Sequence, residues 1–471
     1  MIRTLAVSLA LGPMLASAQN ASSPRPRPLS PDAVTSDWPT FLGPTRDSRT
    51  PETGLRADLE ADPPDLLWEY EIGTGYAPPA IVGDRLVCTH RVGDEIHIDC
   101  LDPLTGERRW RHSYDTDYQG EWIRDSGPRS SPVIEGNRVY IHGVDGVLLC
   151  LELGTGEVVW RRDISDEYGI DDQFFGVVAT PVIYGGTLIQ NIGAPKRGAS
   201  VAAFDLETGK TVWTAGDRWG PSCASPVIAQ MHGEDRLFIV TGGETRPPTG
   251  GLMVLDPKTG KVLLEHPFRS RTYTSVNGAN PIVASPDGVV FLTAAYNVGT
   301  ARLDIEPDFG FTETWRNRRV GIEFSTPLDV GGHLYMIDGR GDRVGSVVCL
   351  DSVTGKEVSR TEVIWDETVF YNGRELEVPL SIGNGTMILA PGMGDRRALL
   401  LGDQGDLAWV ELKPEGAEIL SRVGLFRASE TWTPPAVSRG LVYVCQNSRE
   451  KFGRERNPPR LLCYDLRAAS N

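Results

Sequence analysis

Among its 471 residues the sequence has no pair of adjacent cysteines, no Cys-x-x-Cys-His and no His-Glu-x-x-His. Covalent attachment of a c-type haem and a helix-borne zinc site of that spacing are therefore excluded. A Gly-x-Ser-x-Gly elbow, a phosphate-cradling loop and a Gly-x-Gly-x-x-Gly turn between strand and helix are also missing, and the seven histidines are scattered. Positive charge is in short supply, with 47 Lys and Arg against 63 Asp and Glu and a net charge of −16. That balance disfavours nucleic acid and anionic membrane surfaces, both of which attract basic patches. No stretch approaches the 18 or so uninterrupted apolar residues of a membrane-spanning helix.

The N-terminus reads MIRTLAVSLALGPMLASAQ. Arg3, an apolar run from Leu5 to Leu15 and the small-x-small triplet Ala16-Ser17-Ala18 predict a secretory signal peptide over 1–18, cut near Ala18. No cysteine follows the cut before Cys88, which argues against a lipid anchor. The mature chain is expected in the periplasm or secreted. Residues 19–37 are Pro- and Ser-rich and read as a flexible or polyproline-like spacer. An N-terminal extension spans 38–65, and a repeat occupies 66–471.

Glycine (52) and proline (34) are plentiful and spread along the chain, which suits many short strands joined by turns. A small residue, Pro and an apolar strand recur as PPAIV (78–82), SPVIE (131–135), TPVIY (180–184), SPVIA (225–229), NPIVA (280–284), TPLDV (326–330), VPLSI (378–382) and PPAVS (434–438). The eight starts are 45 to 56 residues apart. Four short antiparallel strands at that period make a propeller blade. The chain ends after the third strand of the last unit, while LLWEYEIG (66–73) is a fourth-strand sequence with no blade before it. The fold expected is all-β: an eight-bladed β-propeller closed by an N-terminal strand that completes the last blade.

Each unit carries a turn of the form LDPLTGERRW (101–110), LELGTGEVVW (151–160) or FDLETGKTVW (204–213). Gly106, Gly156, Gly209, Gly260 and Gly355 supply positive φ, and Asp102, Glu152, Asp205, Asp256 and Asp351 are placed to accept turn N–H groups. Trp110, Trp160, Trp213 and, in a degenerate unit, Trp315 are expected to wedge between blades. Leu264, Ser359 and Leu420 take the Trp position elsewhere. The motif reads as architecture rather than catalysis.

With its SPVI-type strand, this unit resembles the pyrroloquinoline-quinone (PQQ) type propeller repeat. That family includes quinoprotein alcohol dehydrogenases and the propeller subunit of the outer-membrane β-barrel assembly machinery. DWPTFLGPTRDSRTPETGL (37–55) resembles the leader of exported bacterial propellers of this kind. The resemblance to the dehydrogenases implies PQQ clamped between a Trp and a disulfide of adjacent cysteines, with Ca²⁺ held by Glu, Asn and Asp. The missing cysteine pair disfavours PQQ and calcium here.

Cys100, Cys150, Cys349 and Cys463 share one repeat position, where other units have Ala203 and Val254, and so read as core residues. Cross-strand disulfides Cys88–Cys100 and Cys445–Cys463 remain open alternatives to free thiols. Cys223 reads as a buried thiol.

Loops entering each innermost strand build the mouth of a propeller channel. Three positions before each aligned Pro stand Tyr76, Arg129, Val178, Cys223, Gly278, Phe324, Leu376 and Trp432, and one further back are Asn277, Glu323 and Glu375. From these, Tyr76, Arg129, Asn277, Glu323, Phe324 and Trp432 form the candidate binding face, an aromatic and charged mixture of interface type. No catalytic set is identified. The expected function is that of an exported, monomeric, non-catalytic scaffold binding a protein, peptide or small ligand; the alternative is a PQQ-dependent oxidoreductase with a divergent site.

Overall fold

The computed structural model describes residues 24–120, 125–170, 175–243, 247–339, 344–451 and 456–469. The proposed signal peptide lies outside these residues. Eight four-stranded antiparallel sheets account for most of the chain, with a two-stranded hairpin between the sixth and seventh. In chain order the blades occupy 80–115, 133–163, 182–215, 227–267, 282–317, 328–362 and 386–424, and the eighth is built from 436–465. The fourth strand of the eighth blade is Asp65–Glu71, which pairs antiparallel with Arg460–Asp465. The predicted closure of the ring is thus in place.

Seven buried clusters form the core, each lying between neighbouring blades. One joins Val87, Ile98 and Cys100 of blade one to Val139 and Leu149 of blade two, and the largest gathers blades seven, eight and one. Tryptophans lock these seams. The Trp68 ring lies against Gly106 of the next blade, and its Nε1 donates to the Pro103 carbonyl at 3.0 Å. Trp110, Trp160, Trp213 and Trp315 repeat the arrangement on Gly156, Gly209, Gly260 and Gly355, donating to Leu153, Leu206, Pro257 and Ser352. A Cβ at Gly209 would lie 2.7 Å from the Trp160 ring, and its φ is +68°. Glycine is therefore required twice over, for the turn and for the wedge. Asp102 and Asp256 accept two turn N–H groups each, as expected. The Glu152 carboxylate instead pairs with Arg138.

Two expectations need correction, and one open alternative is decided. The seventh blade does not begin at VPLSI. Residues 378–381 belong to the hairpin Ile364–Tyr371 and Arg374–Ser381, and the inner strand is Thr386–Leu389. In the same blade Ser421, not Leu420, stands where Trp is expected. Ser421 faces Trp409, and the bulge that follows skips Leu420, which is exposed. Finally, no disulfide joins any of the seven cysteines, so the reading as thiols holds over the two bridges. Cys88 is opposite Asp99 while Cys100 is opposite Val87, so the two thiols emerge on opposite faces. Cys463 is opposite Tyr443, two residues from Cys445; that diagonal of about 7–8 Å is too long for a disulfide.

The N-terminal extension is stitched to the ring. Trp38 exchanges two 2.8 Å backbone hydrogen bonds with Ile81, and the Pro39 carbonyl accepts from Ile134 N. Further on, Leu389 N donates to the Ser48 carbonyl, Thr50 N donates to the Leu389 carbonyl, and the Arg49 side chain donates to the Asp329 carbonyl. These partners are the inner strands of blades one, two, six and seven. Residues 38–50 therefore cross the channel at the end away from the mouth loops. Residues 27–62 also clasp the closing blade: Arg27 N donates to Asp465, and the buried Arg56 pairs with Asp62 and Asp65.

Candidate functional site

The channel holds a cavity of about 180 Å³. Phe41, Leu42 and Ser48 of the crossing segment line its floor, so it is closed at that end. Tyr76, Arg129, Val178, Cys223, Gly278, Phe324 and Trp432 all line it. These are seven of the eight residues placed three positions before the aligned Pro. The eighth, Leu376, stands exposed on the hairpin because its Pro is not the blade start. Cys223 is partly exposed on the cavity wall rather than buried in the core, contrary to expectation.

The rim is a continuous run of stacked groups. Phe324 and Trp432 have centroids 6.2 Å apart at an interplanar angle of 18°, and Trp432 and Tyr76 are 5.6 Å apart at 23°. The Arg129 guanidinium lies 5.6 Å from the Tyr76 ring centre and 5.9 Å from that of Phe175. Its two terminal nitrogens donate to the Gly127 and Asp125 carbonyls at 2.8 and 2.7 Å, which fixes the plane. Burial, then the Asp125 and Glu430 carboxylates, push the Tyr76 hydroxyl well above its ordinary range. Tyr76 is accordingly a neutral ring at physiological pH.

Below the rim, a belt of hydrogen bonds passes from blade two to blade six through the residue before the aligned Pro. Ser131 N donates to Thr180 Oγ1, Thr180 N to Ser225 Oγ, Ser225 N to Asn280 Oδ1 and Asn280 N to Thr326 Oγ1, at 2.8–3.2 Å. From blade two to blade six, the small polar residue before Pro thus ties one inner strand to the next. This role was not legible in the sequence, although the residues stand in plain sight within the repeat.

Asn277 and Glu323 sit behind the rim, away from the cavity. Asn277 is buried, and its carbonyl accepts from Cys223 N. The Glu323 carbonyl accepts from Gly278 N, and its carboxylate accepts the Tyr296 hydroxyl at 2.5 Å. Both brace the loops that carry rim residues.

The donor set bears on the implied cofactor. Among the described lining residues Arg129 is the one charged group; the remaining polar side-chain groups are hydroxyls, the Asn384 amide, the Trp432 indole and the Cys223 thiol. Calcium takes roughly six to eight oxygen ligands, usually with carboxylates among them. No group of three or more His, Cys, Asp or Glu that could hold a metal occurs among the described residues. The residues described around this cavity do not fit a calcium–quinone pair.

Comparison with known proteins agrees with the fold. The chain is 26% identical to quinohemoprotein alcohol dehydrogenase ADH IIB of Pseudomonas putida, over 59% of this chain and 41% of that one. It is 25% identical to the outer membrane protein assembly factor BamB of Shewanella oneidensis, over 35% of this chain and 39% of that one. The matches thus span about two-fifths of the length of these relatives. The structure of quinohemoprotein alcohol dehydrogenase from Comamonas testosteroni superposes with a TM-score of 0.63 at 13% identity, covering 92% of this chain and 81% of that one. That likeness shows the propeller alone. The profile of the family described as outer membrane protein assembly factor BamB matches residues 94–361, more than half of the chain. The chain belongs to this family of PQQ-type repeat propellers.

Proposed function

We propose that the protein is an exported, non-catalytic binding scaffold of the cell envelope that engages a protein partner at its channel mouth. The observation that carries this reading is the rim itself: Phe324, Trp432, Tyr76, Arg129 and Phe175 form one stacked surface around a cavity closed at its far end. Aromatic residues and Arg dominate interface hot spots; a rigid ring contributes large contact area at little cost in rotamer freedom, and the Arg129 guanidinium is already held by two carbonyls. The signal-peptide pattern over 1–18 and the relatives named as outer membrane assembly factors support an envelope location.

A photo-crosslinking amino acid at Phe324 tests the reading in cells, with Val212 on an outer strand as control. Crosslinks to a protein at Phe324 and none at Val212 are expected. Equal labelling, or none at Phe324, would remove the support. A second reading, a PQQ-dependent oxidoreductase, is favoured by the relatives named as quinohemoprotein alcohol dehydrogenases. Dye reduction with alcohols after loading with PQQ and Ca²⁺ would establish it in place of the first.

A further inference from the structure

Resting on the scaffold reading, we propose that the cavity captures the carboxyl terminus of an extended polypeptide. Three observations converge on it. Segment 38–50 crosses one end of the channel, so a chain cannot thread through, and a chain end fits a cavity blind on that side.

The wall, moreover, is a surface of donors. Thr180, Ser225 and Thr326 each spend an oxygen lone pair accepting a backbone N–H of the preceding blade. Their hydroxyl hydrogens have no acceptor recorded among the described residues, so each hydroxyl has a donor to offer. Thr386 Oγ1, also on the wall, is buried with no partner among the described residues. Arg129 has five N–H donors, of which the carbonyls of Gly127 and Asp125 account for two.

The sign of the charge decides which chain end fits. An ammonium terminus would meet Arg129 and no described carboxylate on the wall, whereas a carboxylate gains charge-assisted hydrogen bonds. None of the acids nearby lines the cavity: Asp125 accepts from Gly75 N and Gly127 N, Asp403 accepts from Asn384 N, and Glu430 faces the Tyr76 hydroxyl. The rings of Trp432 and Phe324 then stand where the residues preceding the terminus would pass. Capture of a terminal carboxylate by converging donors is a known mode of peptide recognition.

The test uses the purified mature protein, immobilised, and two pools of N-acetylated random hexapeptides, one with free carboxyl termini and one with C-terminal amides. Retention of the free-acid pool about tenfold above the amide pool is expected. Arg129→Gln should abolish that preference. Thr386→Val, which changes shape little and breaks no hydrogen bond recorded for that hydroxyl, should reduce it several-fold while unfolding at the same temperature as the parent. Equal retention of the two pools, or retention of neither, would overturn the proposal. So would phenylacetate binding with no peptide retained, which would mark a site for small acids. Crosslinks at Phe324 together with equal pools would leave the scaffold reading standing and remove this one alone.

Discussion

Tyr76 and Trp432 stack 5.6 Å apart, although one leads into the first blade and the other into the last. The rim is therefore continuous across the seam where the ring closes, and Trp432 bridges that seam to Phe324 on its other side.

Trp432 is 37% exposed and covers no core cluster. Trp432→Ala is expected to lower the melting temperature by no more than a few degrees, since an aromatic pair contributes about 0.5–1.5 kcal/mol. Loss of partner binding should be much larger, at least about 2 kcal/mol or thirtyfold, as for a central hot spot. Differential scanning fluorimetry beside a binding titration separates the two.

Trp160 presents the reverse case. It is buried between blades two and three, against Gly209. Trp160→Ala should cost about 3–5 kcal/mol in urea unfolding. Gly209→Ala should also destabilise, by strain at φ +68° and by collision with the same ring. Removing the ring removes that collision, so in the double variant the costs should sum to less than additivity predicts.

His142 predicts a pH dependence. Burial pushes its imidazole down to about 3, and Nε2 has no partner among the described residues. The unfolded chain protonates near pH 6.5. Between pH 6.5 and 3 the unfolded state therefore binds a proton that the folded state refuses. Stability is complete above pH 6.5 and falls as pH drops, by up to about 1.4 kcal/mol per unit from this group. His90, His112 and His266 are shifted down in the same direction, first by burial. His142→Gln should show a shallower fall between pH 6.5 and 4.5 than the parent, measured by urea midpoints.

The thiols give a direct count. Six cysteines are at most 4% exposed, and burial raises Cys100, Cys150 and Cys445 to about 12. Cys223 alone is partly exposed. Ellman's reagent should modify one thiol in the native protein and seven in denaturant, and native modification should block the mouth. Five modifiable thiols or fewer in denaturant would contradict the free cysteines.

The blades were legible in the sequence because each must bury its faces against identical neighbours, so the same small residue, Pro, Gly and Trp recur at fixed register. Blade seven misleads because its inner strand follows Asn384-Gly385 without the small-Pro signature, while the inserted hairpin carries VPLSI as a decoy. Leu420 misleads because a bulge displaces the count by one. The mouth positions followed from the repeat, but Asn277 and Glu323 point into the loops, a matter of side-chain direction that spacing does not encode. The floor was illegible for another reason. Segment 38–50 has no hydrophobic period, and its partners are backbone groups of four distant blades.

The eighth blade pairs Asp65–Glu71 with Arg460–Asp465. The earliest-made strand of the propeller must therefore wait for nearly the last. Until then both partners are open edges of a kind that recruits strands from other molecules. Closing so long a loop is also slow compared with forming any single blade. Folding to completion can occur only after the whole chain has been delivered, and a molecule halted before residue 460 presents two adhesive edges in place of a circle.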